Sequence, residues 1–341
     1  MVKKMIGIEG SFAIAEAVKL ARVDAVAAYP ITPQTHIVER LAEFVANGEL
    51  DAEYIPVESE HSAMSACLGT SAVGARTFTA TASQGLELMH EVLYVASSMR
   101  LPIVMTLANR AISAPLSIWT DHCDAMAVRD CGWIQIFAEN AQQAFDLVLC
   151  AFRIAETPAV FLPVMVHIDG FYISHTIEPV QLLEQEAVDS FIPEYRHPYP
   201  LDPDRPVTMG AFGPPPIYTE AKKAQEVALR ASKAVILEVW QEFSLLSGRH
   251  YSPVEGYEAG DADVLFLIMG SFSETAMVAI DRMRAKGQKV GLVRLRLWRP
   301  FPVQELRQTV GKAWVIIVLD RAISFGGRDP SVLKSRRRFI P

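Results

Sequence analysis

The sequence predicts an α/β protein: a doubly wound, mostly parallel sheet over residues 1–176, a proline-rich connection and long helix over 177–260, and a smaller α/β unit over 261–341. Three observations carry this. Through the first half, short apolar runs alternate with helix-period patterns, the signature of parallel strands whose crossover helices cover both faces of a sheet. From Ile177 to Pro216 nine prolines interrupt that pattern and few apolar positions recur, which reads as an extended connection. From Asp263 the alternation resumes, with three more strands legible. At 341 residues, half of them hydrophobic, the chain has the apolar material for two cores.

In order, the apolar runs predict strands at Val23–Ala28, Tyr54–Val57, Arg76–Ala80, Ile103–Ala108, Ile134–Phe137 and Val160–His167. Helical spacing predicts Phe12–Ala21, Gln34–Ala46, Ser62–Ser71, Leu86–Ser98 and Ala141–Ala155 between them. The turn after the first of these strands is distinctive. Pro30 and Pro33 bias Tyr29 and Thr32 toward extended backbone, Thr32 is placed to cap the next helix, and Pro33 suits its first position. Ile37, Leu41, Phe44 and Val45 then mark the buried face until Gly48. The helix at Ser62–Ser71 is built almost entirely of small residues, which suits close approach of another helix or a ligand. Beyond the prolines, Ile217 to about Leu246 reads as one long helix. A strand from Asp263, a helix near Glu274–Ala285 and strands Val290–Leu295 and Ala313–Leu319 form the second unit. Gly270-Ser271-Phe-Ser273 at a strand end reads as a structural turn; without a fuller glycine motif it is weak evidence for a phosphate site.

Net charge is −7 and the only basic run is Arg336-Arg337-Arg338, so a nucleic-acid surface is not expected. No stretch of roughly 18 apolar residues is present and no signal peptide is readable at the N-terminus, which predicts a cytoplasmic chain without a membrane span. Cys67, Cys123, Cys131 and Cys150 have no metal or cluster spacing and read as small core residues.

The chemistry lies past the strand ends. Thr32, the cluster Glu58-Ser59-Glu60-His61, Ser83-Gln84 and Asn109-Arg110 each follow a predicted strand, and in a doubly wound sheet such positions converge on one crevice. A hydroxyl, a carboxylate, an amide and a guanidinium without metal-ligand spacing point to an organic anion handled by an organic cofactor. Arg110 can grip a carboxylate with two parallel hydrogen bonds, or serve a salt bridge. Gln84 either lines the site or caps a helix, and His61 and His122 read as structural.

The motifs Tyr29-Pro-Ile-Thr-Pro-Gln-Thr35, Val57-Glu-Ser-Glu-His-Ser-Ala63, Thr79-Ala-Thr-Ala-Ser-Gln-Gly85, Asn109-Arg-Ala-Ile-Ser-Ala-Pro115, Asp121-His122 and Arg129-Asp-Cys-Gly-Trp133 resemble, in order and spacing, the α subunit of pyruvate:ferredoxin oxidoreductases. The resemblance runs to about Phe325. It implies a thiamine diphosphate enzyme that cleaves a 2-oxoacid, most simply pyruvate, with CoA to an acyl-CoA and CO2 and passes electrons to ferredoxin. It implies that this chain supplies the pyrimidine side of the cofactor site and a transketolase C-terminal-like domain. A β subunit would then hold the diphosphate, Mg2+ and a [4Fe-4S] cluster, and γ and ferredoxin-like δ subunits would complete the assembly. By the same resemblance Glu60 bonds the aminopyrimidine, Thr32 and Arg110 hold the oxoacid, and Pro30, Thr32, Glu60 and Gln84 line the cofactor. Glu58 is the rival carboxylate, on the same face as Glu60 if the segment is extended. The same chemistry on oxalate or a branched-chain acid, a non-oxidative decarboxylase and a non-catalytic assembly subunit are the other readings. Two departures stand out. Gly10-Ser11 replaces a common Gly-Asn, and the residues after Gly327 match none of the family pattern, as a truncated or frameshifted C-terminus would.

Overall fold

The computed structural model describes residues 5–311 and 313–327. In chain order, β1 (Met5–Glu9) leads directly into α1 (Gly10–Leu20), followed by β2 (Ala25–Ala28), α2 (Thr35–Ala46), β3 (Glu53–Pro56), α3 (Glu60–Ala72), β4 (Thr77–Thr81), α4 (Ser83–Ser98) and β5 (Val104–Asn109). Next come α5 (Cys123–Ala127), β6 (Ile134–Phe137), α6 (Ala141–Ala155), β7 (Val164–Asp169), β8 (Ile177–Gln181), α7 (Gln185–Phe191) and α8 (Pro215–Ser247). The remainder is β9 (Val254–Tyr257), β10 (Val264–Ile268), α9 (Phe272–Arg284), β11 (Val290–Leu295), β12 (Leu297–Arg299), α10 (Val303–Val310) and β13 (Val315–Val318).

The main sheet has the order β12-β6-β7-β5-β4-β2-β3, parallel except for β12. Every residue of β2, β4, β5, β6 and β7 is buried, which is why they read as near-continuous apolar runs instead of alternating ones. Ile14 of α1, Phe44 of α2, Phe145 of α6 and Trp240 of α8 belong to the core on one face. Met64 of α3 and Leu93 of α4 join Trp133, Trp298 and Leu265 of the small sheet in the core on the other. Trp298 is fully buried there, so truncation to Ala costs about 3–5 kcal/mol. The small sheet, ordered β13-β10-β11-β9, packs its far side on α9 through Ile280 and Leu292.

Two carboxylates tie these layers together. Asp146 of α6 accepts from Arg249 Nε and Nη2 at 2.5 and 2.7 Å and also binds the Tyr251 hydroxyl, fixing the chain just after α8. Asp169, the last residue of β7, reaches into the second unit: its Oδ2 accepts from Ser271 N–H and Oγ–H at 2.7 and 2.6 Å, and its Oδ1 meets His122 Nε2 at 3.0 Å and Arg321 Nη2. Burial alone would raise the Asp169 pKa, but bonds to His122, Arg321 and Ser271 hold it well below the carboxylate range. The Gly270-Ser271 turn is thus a structural turn whose amide is taken by a side chain from the main sheet.

Several local expectations need correction. Thr32 does not cap α2. The Thr32–Pro33 peptide is cis, a turn closes from Gln34 N–H to Ile31 O at 2.9 Å, Gln34 Nε2 donates to Tyr29 O at 2.8 Å, and the helix starts at Thr35 with Gln34 as its cap position. Helix α3 starts at Glu60, two residues early, because Ser59 accepts the Ser62 N–H at 3.2 Å. The 177–216 stretch holds β8 and α7; β8 pairs antiparallel with β1, a long-range partner that local periodicity does not reveal. The small sheet gains β9 as a fourth strand, and β12 leaves the second unit to join the main sheet. Helix α8 is buried only from Ala228 onward, and its first half is largely exposed. The expectations for the segment after Gly327 fall outside the described residues.

Candidate active site

Strands β3, β2, β4 and β5 are neighbours in the sheet, so the loops at their carboxyl ends stand side by side. These loops carry Glu60, Thr32, Gln84 and Arg110 respectively. Arg110 is the hub. Its side chain is 7% exposed, with Nη1 donating to Thr32 O at 2.8 Å and Nη2 to Gln84 Oε1 at 3.1 Å. Its buried Nε has no partner. Burial lowers the Arg110 pKa, and the nearby Asp124 and Glu60 charges oppose that shift, so the guanidinium keeps its charge.

Glu60, 6% exposed at the start of α3, faces α4: a β-carbon on Gly85 would lie 2.6 Å from Glu60 Oε1. Its carboxylate accepts no hydrogen bond from any described residue, and its oxygens open onto the crevice. Glu58 behaves differently. It is exposed, bonds the Ser62 hydroxyl, and that bond lowers its pKa. The early start of α3 therefore separates the two carboxylates that an extended segment would have aligned. His61 is exposed beside them.

A residue that the strand-end argument did not reach organises the crevice. Asp124 is fully buried and accepts from the N–H groups of Ser83 (3.1 Å), Arg110 (3.0 Å) and Ala125 (2.7 Å) and from Asn109 Nδ2 (2.8 Å). It clamps the β4 and β5 loops to α5. Burial pushes its pKa up to about 7, against the pull of these four donors. Its sequence signal was available, since it lies two residues beyond the Asp121-His122 motif. Ser83 Oγ lies 2.6 Å from both Gln84 Oε1 and Ala111 O, so its single proton serves one of them at a time. Gln84 is not a cap: it is the second residue of α4, behind Ala82.

Thr32 and Pro30 are exposed on the lip of the crevice, and only the Thr32 carbonyl is engaged. The loop after Arg110, closed by Ala111 N–H to Trp119 O at 3.0 Å, exposes Leu116, Ile118 and Trp119. His122 belongs to the Asp169 junction and not to the crevice. A cavity of about 980 Å³ lies elsewhere, between α8 and the Arg129 and Arg299 segments. Its cations are largely matched: Arg129 and Arg299 share Asp130, Arg230 meets Glu226, and Lys233 meets Glu305.

The orphaned Arg110 Nε and the unpaired Glu60 carboxylate, beside a cradle kept open by Gly85, describe a site built for a polar organic group. Solved structures share the architecture. A 2-oxoglutarate:ferredoxin oxidoreductase from Magnetococcus marinus superposes with a TM-score of 0.77 at 18% identity, covering 98% of this chain and 60% of that one. A split-gene transketolase gives 0.55 at 13% identity, covering 98% and 87%. The fold is that of these α/β enzymes.

Sequence comparison narrows this. Residues 16–241 match the family described as "Pyruvate flavodoxin/ferredoxin oxidoreductase, thiamine diP-bdg", and residues 262–338 match "Pyruvate:ferredoxin oxidoreductase core domain II", so the family match continues past Gly327, contrary to the expectation from the motifs. The chain belongs to the pyruvate:ferredoxin oxidoreductase family. It is 54% identical over 323 residues to the pyruvate synthase subunit PorA of Methanocaldococcus jannaschii, covering 94% of this chain and 83% of the relative. It is 51% identical over 316 residues to that of Pyrococcus furiosus (92% and 80%) and 49% identical over 327 residues to the ketoisovalerate oxidoreductase subunit VorA of Pyrococcus abyssi (95% and 82%).

Proposed function

We propose that the chain is the α subunit of a thiamine diphosphate-dependent 2-oxoacid:ferredoxin oxidoreductase, converting pyruvate and CoA to acetyl-CoA and CO2 with reduction of ferredoxin. The observation that carries this reading is the Glu60 carboxylate, free of hydrogen bonds to the described residues, in one crevice with the Arg110 guanidinium. When bound, the cofactor supplies a carbon nucleophile at its thiazolium C2. Glu60 would share a proton with the aminopyrimidine nitrogen, the task of a carboxylate positioned for general acid–base work. Arg110 holds the carboxylate of the oxoacid through donors left over from Thr32 and Gln84, and the Thr32 hydroxyl on the lip orients the same substrate. Pro30 and Gln84 line the cofactor's edge.

The exposure of Thr32, Pro30 and the Leu116–Trp119 loop beside so specific a crevice supports a partner that closes it. In this reading a β subunit brings the diphosphate site, Mg2+ and a [4Fe-4S] cluster, and γ and ferredoxin-like δ subunits carry electrons onward to ferredoxin in the cytoplasm. Among the described residues no helix is long and apolar enough to cross a membrane. A second reading, a branched-chain oxoacid in place of pyruvate, is favoured by the similarity to the VorA subunit.

The test is to produce this chain with its co-purifying subunits anaerobically and to follow viologen reduction. CoA-dependent reduction should require the assembled complex and prefer pyruvate over 3-methyl-2-oxobutanoate. The reverse preference selects the second reading, and oxoacid-dependent reduction by this chain alone would refute the shared-site assignment.

A further inference from the structure

Away from the crevice floor, three segments distant in sequence bring metal-ligating side chains together. Glu9 ends β1, His36 lies in the first turn of α2, and His175 lies in the turn after β7; one ligating atom from each lies within 4.8 Å of the other two. From these we infer that Glu9, His36 and His175 form a site for a divalent transition-metal ion such as zinc.

The frame that holds the three is stiff. Gly10 N–H donates to Thr176 O at 3.2 Å, Ser11 N–H and Oγ–H donate to Ser174 O at 3.0 and 2.7 Å, and a β-carbon on Gly10 would sit 2.1 Å from Ile173 O. Glu9 and His175 are thereby locked to one another through their neighbours. His36 Nδ1 lies 2.7 Å from Glu9 Oε1, and the His36 and His175 rings are 4.5 Å apart between Phe12 and Phe171. Ser174 Oγ stands 2.7 Å from His175 Nδ1 and already accepts the Phe171 N–H, so it can also take an Nδ1 proton and leave Nε2 as a lone-pair donor.

Two imidazoles and a carboxylate suit zinc or another borderline ion and not magnesium, which favours an all-oxygen shell. Tetrahedral zinc at 2.0–2.1 Å sets ligand atoms roughly 3.3 Å apart, within reach of side-chain adjustment from the observed spread. Three protein ligands leave a fourth position open, and all three residues are partly exposed, so solvent or a further ligand can fill it. An ordinary Glu–His ion pair does not require a second imidazole facing the first. A bound ion would brace the turn of Thr32 and Pro33, since His36 follows it directly and Gly170, just before His175, packs on Pro33 with a β-carbon distance of 2.6 Å to its Cγ.

The experiment uses the full chain without a histidine tag, stripped with chelator and titrated with Co2+ while visible absorption is recorded. One equivalent should give d–d bands of a low-coordinate nitrogen-ligated site, and Zn2+ should abolish them. Glu9→Gln, His36→Asn and His175→Asn should each weaken binding on the order of tenfold or more, with far-UV circular dichroism unchanged, while the exposed control His61→Asn binds normally. Absence of stoichiometric Co2+ binding by the unaltered chain would overturn the site, as would bands that persist in all three variants. If one imidazole variant fails to fold, the unaltered chain and Glu9→Gln still decide.

Discussion

A β-carbon on Gly85 would stand 2.6 Å from Oε1 of Glu60 and 2.9 Å from its Cγ. The missing side chain on α4 is what gives the α3 carboxylate its place. Gly85→Ala should displace Glu60 while costing only about 1–3 kcal/mol of stability from overpacking, because the contacts are side-chain atoms and Gly85 has no positive φ. A displacement near 1 Å can cost about 10²-fold in turnover, so kcat in the assembled enzyme should fall far more than Tm. Loss of both in proportion would mean that Gly85 matters for packing alone.

Glu60→Gln keeps the shape and removes the proton-sharing carboxylate. The expected loss is on the order of 10²–10⁴ in kcat, with slowed C2 hydrogen–deuterium exchange and intact subunit assembly. Glu58→Gln, at the exposed neighbour, should leave exchange unchanged. If the two variants exchange these phenotypes, the assignment belongs to Glu58.

Arg110→Lys replaces a fork that spans Thr32 O and Gln84 Oε1 with a single ammonium. A charge-assisted hydrogen bond contributes roughly 1.5–3 kcal/mol, so kcat/KM for the oxoacid should drop about ten- to hundredfold. A change under about threefold argues that Arg110 only fastens the loops.

Asp169→Asn leaves Arg321 and His122 without their shared carboxylate at the junction of the two sheets. Breaking such a buried pair costs about 3–5 kcal/mol, and urea unfolding should show it. Ser271→Ala, which removes one hydroxyl bond to the same carboxylate, should cost only about 1 kcal/mol. Equal effects would show that Asp169 is not the centre of the junction.

His167 is fully buried against Phe137, ring centroids 4.3 Å apart, with neither ring nitrogen bonded, and burial lowers its pKa to about 3. The unfolded chain binds this proton near pH 6.5 and the folded chain only near pH 3, so the unfolded state holds more protons between those values. The His167 contribution to stability should therefore fall as pH drops from about 6.5 toward 3, by a few kcal/mol in order of magnitude, against the opposite contribution of Asp124; comparing the pH profiles of the unaltered chain and His167→Leu separates the two. His167→Leu should flatten that limb while changing stability at pH 7 by less than about 1.5 kcal/mol. An unchanged acid limb would move the proton uptake to another group.

The parts of this fold that the sequence disclosed are those in which local pattern and tertiary environment agree. The buried strands around Val26, Phe78, Val104 and Ile134 read as apolar runs, and the ends of neighbouring strands delivered Glu60, Gln84 and Arg110 to one crevice. What remained hidden was decided by distant partners. β8 exists because β1 pairs with it across the chain, and Pro179 is tolerated on that edge. Asp124 went unread because its role rests on four donors from three segments that only the fold brings together. The Thr32 turn differs for another reason: Gln34 N–H closes on Ile31 O and its side chain on Tyr29 O, which moves the cap position past Thr32.

The excursion of β12 into the main sheet has a consequence for biosynthesis. Its pairing partner β6 leaves the ribosome roughly 160 residues ahead of Leu297, and Trp298, which seals the same edge, arrives with it. At ordinary elongation rates of about 5–20 residues per second, the nascent sheet waits on the order of ten seconds with an open strand edge. An open edge recruits other strands, so this interval is when two nascent chains on one messenger are most exposed to pairing with each other. The halves are also not interchangeable cassettes, because cutting the proline-rich connection would strip the first sheet of its final strand.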